Sequence, residues 1–173
     1  MFKPTKIIIH CSDSTWGNAS EIDKWHKERG WTGIGYHYVI CNGNATLFTK
    51  NLDGSVDHGR SLFEQGAHCK GHNSDSIGIC LIGVDEFTPA QYKSLKELCE
   101  RLMEEYGISS DDIYGHYEFS DKTCPNFNVD DFVYEYIDKP KAWEKVKPVA
   151  DACGVTDEEM LDCMQTLRRY FKQ

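Results

Sequence analysis

The sequence predicts an α/β fold: a sheet domain followed by a C-terminal helical extension. Short β-branched or apolar runs at Lys6–Ser12, Gly35–Cys41 and Ser76–Gly83 alternate with segments of helical periodicity. After Pro140 the strand patterns stop and only helical spacing remains. The expected division is a main domain at 1–139 and an extension at 140–173 packed on it. With 173 residues the chain is long enough to bury a real core.

Lys6–Ser12 reads as a buried strand with His10 at its carboxyl end, where α/β sheets place their sites. Taken alone, a histidine at such a position is more often a hydrogen-bonded structural residue. Ser20–Arg29 reads as a helix capped by Ser20 and ended by Gly30. Gly35–Cys41 is the next strand, Asn42-Gly43-Asn44 a turn and Ala45–Thr49 the returning strand of a hairpin. Period-two alternation sends Tyr36 and Tyr38 to one face and His37 to the other.

Residues 50–75 are irregular and rich in glycine, histidine and asparagine. His68 and His72 stand four apart, but Gly66, Gly71 and Asn73 argue against the helix that would make them a metal pair. Such a polar loop is a common place for substrate contacts. Ser76–Gly83 reads as a central strand. Thr88-Pro89-Ala90-Gln91 is a capping box, and its helix runs to about Tyr106 with Gly107 as its stop. Asp112–His116 is a short strand, and Asp130–Tyr136 a turn or short helix. In the tail, Trp143, Val146, Val149, Ala150 and Cys153 mark one helix, interrupted or bent at Pro148. Gly154 breaks it, and Thr156–Glu159 caps a second. The pair serves as structural cover or as a partner-binding or wall-binding face.

Composition excludes several function classes. A net charge of −9 without a Lys/Arg block argues against nucleic acid as the main partner. The longest apolar run near the start, Ile7–Ile9, is too short for a secretion signal or a membrane span. Synthesis in the cytoplasm without a signal peptide, and no membrane partner, are expected. Of the eight cysteines none forms a C-x-x-C pair, and most are expected to be reduced. Cys80 and Cys99 read as core residues; Cys124 alone has a chemical neighbourhood.

That neighbourhood is Gly115–Pro125, which gathers His116, Lys122 and Cys124 on a strand end and the following loop. Imidazole nitrogen and thiolate sulfur are ligands Zn²⁺ prefers. A lysine beside a metal is placed to stabilise a developing oxyanion. Pro125 biases Cys124 toward extended backbone. His10 and Cys11, adjacent on a strand, face opposite ways, which argues against a cysteine hydrolase.

Blocks in order along the chain then point to a family. They are Ile9–Ser12, Trp25–Trp31, Gly35–Ile40, Gly66–Asn73, Ser76–Gly83, His116–Glu118 and Lys122–Phe127. Over residues 5–135 the chain resembles the zinc-dependent N-acetylmuramoyl-L-alanine amidases of type 2, which include small phage lysozyme-amidases and peptidoglycan recognition proteins. The resemblance implies a central mixed β-sheet flanked by helices on both faces, with a groove floored by one Zn²⁺ per chain. It implies His10, His116 and Cys124 as metal ligands, with Tyr36 and Lys122 as catalytic residues. His68, Lys70 and Asn73 are the candidates for holding substrate. The implied reaction is cleavage, by zinc-activated water, of the amide between N-acetylmuramic acid and L-alanine in bacterial peptidoglycan. The resemblance implies a phage endolysin that reaches the wall after a holin-type or other release, while the missing export signal equally fits a cytoplasmic wall-recycling enzyme or a delivered toxin. No motif position is broken, which sets a cleaving enzyme ahead of a binding-only module. The resemblance also permits a protein partner, such as a polymerase, that no residue pattern here specifies.

Overall fold

Lys6–Cys11 forms β1, and every residue after Lys6 is buried. Three consecutive isoleucines suit a strand covered on both faces. The computed structural model describes residues 2–46 and 50–171. Around β1 lie β2 (Tyr38–Ile40), β3 (Val56–His58), β4 (Ser76–Leu81) and β5 (Ile113–Gly115). They make a five-stranded sheet in the order β3-β2-β4-β1-β5. All neighbours are parallel except β2 and β3, so the sheet is mixed, as expected.

Helices cover opposite faces. On one lies α1 (Ala19–Glu28), whose Ile22 packs with Val39, Cys80 and Ile82. On the other lies α2 (Pro89–Tyr106), which sets Arg101 over the Tyr38 ring at 5.7 Å. Val39 and Tyr38 are neighbours in β2, so the period of two separates the faces. The Thr88 capping box forms as the sequence predicts, with Gly107 left-handed at φ 69°. Its Gln91 is fully buried and also donates through Nε2 to the carbonyls of Ile40 (3.1 Å) and Ile82 (2.9 Å), tying helix to sheet.

Some expectations shift. Asn18 caps α1 in place of Ser20, its Oδ1 accepting from the Glu21 N–H at 2.9 Å. Asparagine is as strong a cap as serine. The antiparallel neighbour of β2 is Val56–His58 rather than Ala45–Thr49, of which 47–49 lie outside the described residues. The chain turns back late because Gly54 donates to the Cys41 carbonyl and Cys41 to that of Ser55, closing a wide loop there. Strand geometry begins only at Tyr38, so Tyr36 escapes the alternation. It packs on the α1 side, away from Tyr38.

By internal contacts the chain forms two units, Met1–Asp131 and Phe132–Gln173. The sheet belongs to the first. A short helix, α3 (Val129–Val133), runs through the boundary. In the second unit a π-helical turn, Tyr134–Asp138, leads into α4 (Lys139–Ala152), and α5 (Asp157–Phe171) follows. Pro148 lies inside α4 without ending it: the ring removes one hydrogen bond, and the helix continues to Ala152. Gly154, at φ 71°, makes the break. The second capping box forms, with Thr156 N–H on Glu159 Oε2 and Glu159 N–H on Thr156 Oγ1. No described helix is long and apolar enough to cross a membrane.

Candidate active site

Parallel pairing builds the site. In the β1–β5 register Ile9 faces Gly115, so the next residues, His10 and His116, emerge side by side at the carboxyl ends of adjacent strands. Their rings lie 4.5 Å apart between centroids. A tight turn at His116–Glu118 follows, closed by Glu118 Oε1 accepting from the Gly115 N–H at 2.7 Å. The chain then loops back, and the Tyr117 N–H donates to the Cys124 carbonyl at 2.8 Å. This sets the Cys124 Sγ 3.9 Å from His10 Nδ1. One ligand atom from each of His10, His116 and Cys124 lies within 4.8 Å of the others. Among the described residues this is the cluster with metal-binding geometry; neither His68 nor His72 joins it.

The electrostatics favour neutral imidazoles. Burial pushes His10 well below its ordinary range, helped by His68, His116 and the Lys122 ammonium. Burial and then Lys122 lower His116. Lys122 is exposed on the rim. Tyr36 lies 5.1 Å from His10 between ring centroids, and burial raises its phenol well above the ordinary value. It is therefore a hydrogen-bond donor rather than a base at neutral pH. The neighbouring Cys124 draws the Cys11 thiol down to about 7, while Cys11 and burial push the Cys124 thiol up. The pair thus gives up its first proton more readily than an isolated buried thiol, and its second with far more difficulty.

These groups line a cleft of about 570 Å³ together with His26, Arg29 and Trp31. A second lobe, of about 480 Å³, shares Trp31, His68, His116 and Lys122 and is bordered by Lys70, Asn73 and Phe119. Of the three substrate candidates, Lys70 is exposed on this border. Asn73 Oδ1 accepts from the backbone N–H groups of His68 and Cys69, at 2.8 Å each, and so shapes the loop. His68 turns inward, its ring nitrogens on His10 and Ser76. His37 lies beneath, its Nδ1 accepting from the Gly78 N–H at 3.0 Å.

Sequence reasoning missed Cys11, whose backbone N–H reaches the Cys124 sulfur at 3.3 Å, and Asn126, whose Nδ2 reaches the Cys11 sulfur at 3.7 Å. The signal for Cys11 was its place beside His10 at the strand end. Asn126 carried none beyond its position in the last motif block. All eight cysteines are unpaired.

The family described as N-acetylmuramoyl-L-alanine amidase matches residues 2–127, a stretch that contains the whole cluster. The chain belongs to that family. It is a peptidoglycan amidase, and its relatives agree. The endolysin of Enterobacteria phage T3 is 37% identical over 143 residues, covering 74% of this chain and 87% of that protein. The endolysin of Escherichia phage T7 is 37% identical over 134 residues, covering 71% and 81%. Among solved structures, the N-acetylmuramoyl-L-alanine amidase LysC from Clostridium intestinale URNW superposes with a TM-score of 0.66 at 31% identity, covering 78% of this chain and 85% of that one.

Proposed function

We propose that this amidase is zinc-dependent, that His10, His116 and Cys124 hold one Zn²⁺ per chain, and that it serves as an endolysin. The observation that carries this reading is the convergence of those three ligand atoms within 4.8 Å at the floor of the cleft. The donor set fits the ion: two imidazoles kept neutral by burial and one cysteine sulfur that receives the Cys11 N–H at 3.3 Å. Three protein ligands of this kind are the pattern of a catalytic zinc site, which keeps one position open. When bound, the ion supplies Lewis-acid chemistry, acidifying water and polarising a carbonyl.

The chain's own residues do the rest. The bond cut is the amide between N-acetylmuramic acid and L-alanine. Lys122 brings a positive charge to the rim, where the carbonyl oxygen gains negative charge as the amide carbon turns tetrahedral. Tyr36, held neutral, donates its O–H to orient the attacking water. Trp31 and Phe119 offer flat apolar surface to a sugar or to the stem peptide, with Lys70 available for its carboxylates. Asn73 supports this wall by fixing the loop that carries Lys70. The chemistry lies within residues 1–139, and 140–173 is an extension outside it. The protein reaches the wall after release from the cytoplasm, by a holin-type or other route.

Metal analysis together with mass spectrometry of digested walls tests the reading. One zinc per chain and stem peptides with a free L-alanine amine are expected. Metal-free protein of full activity, or products cut in the glycan, would overturn it.

A further inference from the structure

We propose that His68 and Ser76 are positioning residues: they fix the tautomer and ring plane of His10 so that its Nδ1 lone pair faces the metal position. This rests on the zinc reading above.

The His72 carbonyl oxygen can only accept, and Ser76 Oγ lies 2.5 Å from it. The single hydroxyl proton of Ser76 is spent there. Toward His68 Nε2, 3.4 Å away, Ser76 Oγ can then only accept, so Nε2 carries the hydrogen. A neutral His68 ring therefore presents a bare Nδ1. That atom lies 3.0 Å from His10 Nε2, which must donate to it. A neutral His10 protonated at Nε2 has its lone pair on Nδ1, the nitrogen 3.9 Å from the Cys124 sulfur. Each link leaves the next one choice.

The ring of His68 is built into its place. A Cβ on Gly66 would stand 2.3 Å from His68 Cδ2, and one on Gly78 2.5 Å from both Cδ2 and Cγ. Ser76 is fully buried at the start of β4, paired with Lys6 of β1, so the far end of the hydrogen-bond chain is anchored to the strand that carries His10. The planes of the His10 and His68 rings stand at 84° to each other, with centroids 5.0 Å apart. Ligating histidines are commonly oriented through their second nitrogen by a carboxylate, a carbonyl or water. Here another imidazole fills that role, and a serine fixes its tautomer in turn.

Two measurements test this. Ring ¹⁵N NMR of the full-length metal-free chain at neutral pH should show both His10 and His68 protonated at Nε2. His10 protonated at Nδ1 would overturn the proposal, and this readout stands even if the chain binds no zinc, an outcome that would sink the zinc reading alone. Zn²⁺ affinity by chelator competition is the second. His68→Ala should weaken it about 10–100-fold. His68→Asn, whose Oδ1 replaces the Nδ1 acceptor, should recover most of the loss. Parental affinity in His68→Ala, or no recovery in His68→Asn, would show that His68 does not position the ligand.

Discussion

The backbone N–H of Cys11 donates to the Sγ of Cys124 across 3.3 Å, joining the last residue of β1 to a loop far along the chain. A backbone N–H aimed at sulfur favours the thiolate, the form in which cysteine binds metal. Here it works against the neighbouring Cys11 side chain and burial, both of which raise the Cys124 thiol. The Cys124 sulfur is thus held by β1, the strand that also supplies His10.

Cys124→Ala follows directly from that relationship. The variant removes the sulfur and leaves the sheet intact. Zinc retention and clearing of cell walls should be lost together, with the far-ultraviolet circular dichroism unchanged. Metal analysis beside a turbidity assay on permeabilised Gram-negative cells checks it; clearing that survives without metal would remove Cys124 from the site.

Gly35→Ala is predicted to destabilise the fold. A Cβ there would stand 2.1 Å from the Ala67 carbonyl oxygen and 2.8 Å from its carbon. Both are backbone atoms, and Ala67 in turn donates to the Gly35 carbonyl at 3.0 Å. No flexible side chain can give way. Overpacking of this kind costs about 1–3 kcal/mol, and urea unfolding should show a loss of at least that size.

Acid should weaken the metal-free fold through its histidines. Burial lowers His26 and His37 below the ordinary 6.5 and His68 to about 3. Above 6.5 these rings are neutral whether the chain is folded or not, and stability is complete. As pH falls below 6.5 the unfolded chain takes up protons that the folded chain refuses, so stability drops. The loss grows until each folded value is reached, and for His68 it continues to about 3. Protonating His37 at Nδ1 would also displace the Gly78 N–H. The urea midpoint should therefore fall from neutral pH to about 5, and fall less in His37→Gln. A midpoint flat across this range would contradict the buried, neutral state of these rings.

Much of this architecture was legible in the residues. The three isoleucines before His10, the Thr88 capping box and the break at Gly154 mark their elements through local rules, and each forms as read. The motif blocks named His10, His116 and Cys124, yet no periodicity could bring them together. That depends on β5 pairing with β1 in the register that sets Gly115 beside Ile9, a long-range choice. Period-two alternation puts Tyr36 on the wrong face because the segment becomes a strand only at Tyr38. The Asn42-Gly43-Asn44 turn signal puts the return of the β2–β3 hairpin too early because it is local, while the pairing is set at Cys41 and Ser55. The inward turn of His68 was invisible for a similar reason: the space it fills exists only where Gly66 and Gly78, distant in sequence, stand on either side of one ring.

Lys122→Ala separates binding of the ion from turnover. Lys122 is exposed on the rim of the cleft, and its charge reaches both His10 and His116, lowering each of them. It offers an ammonium rather than a ligand atom, so its removal should leave zinc content at the parental level. Loss of one donor to a developing oxyanion typically costs about 10²–10³ in rate, and kcat should fall by that factor with KM little changed. A fall in KM-linked binding at constant kcat would instead make Lys122 a substrate contact. Unchanged turnover would take it out of the reaction, leaving Tyr36 and the metal position to carry the amide cleavage.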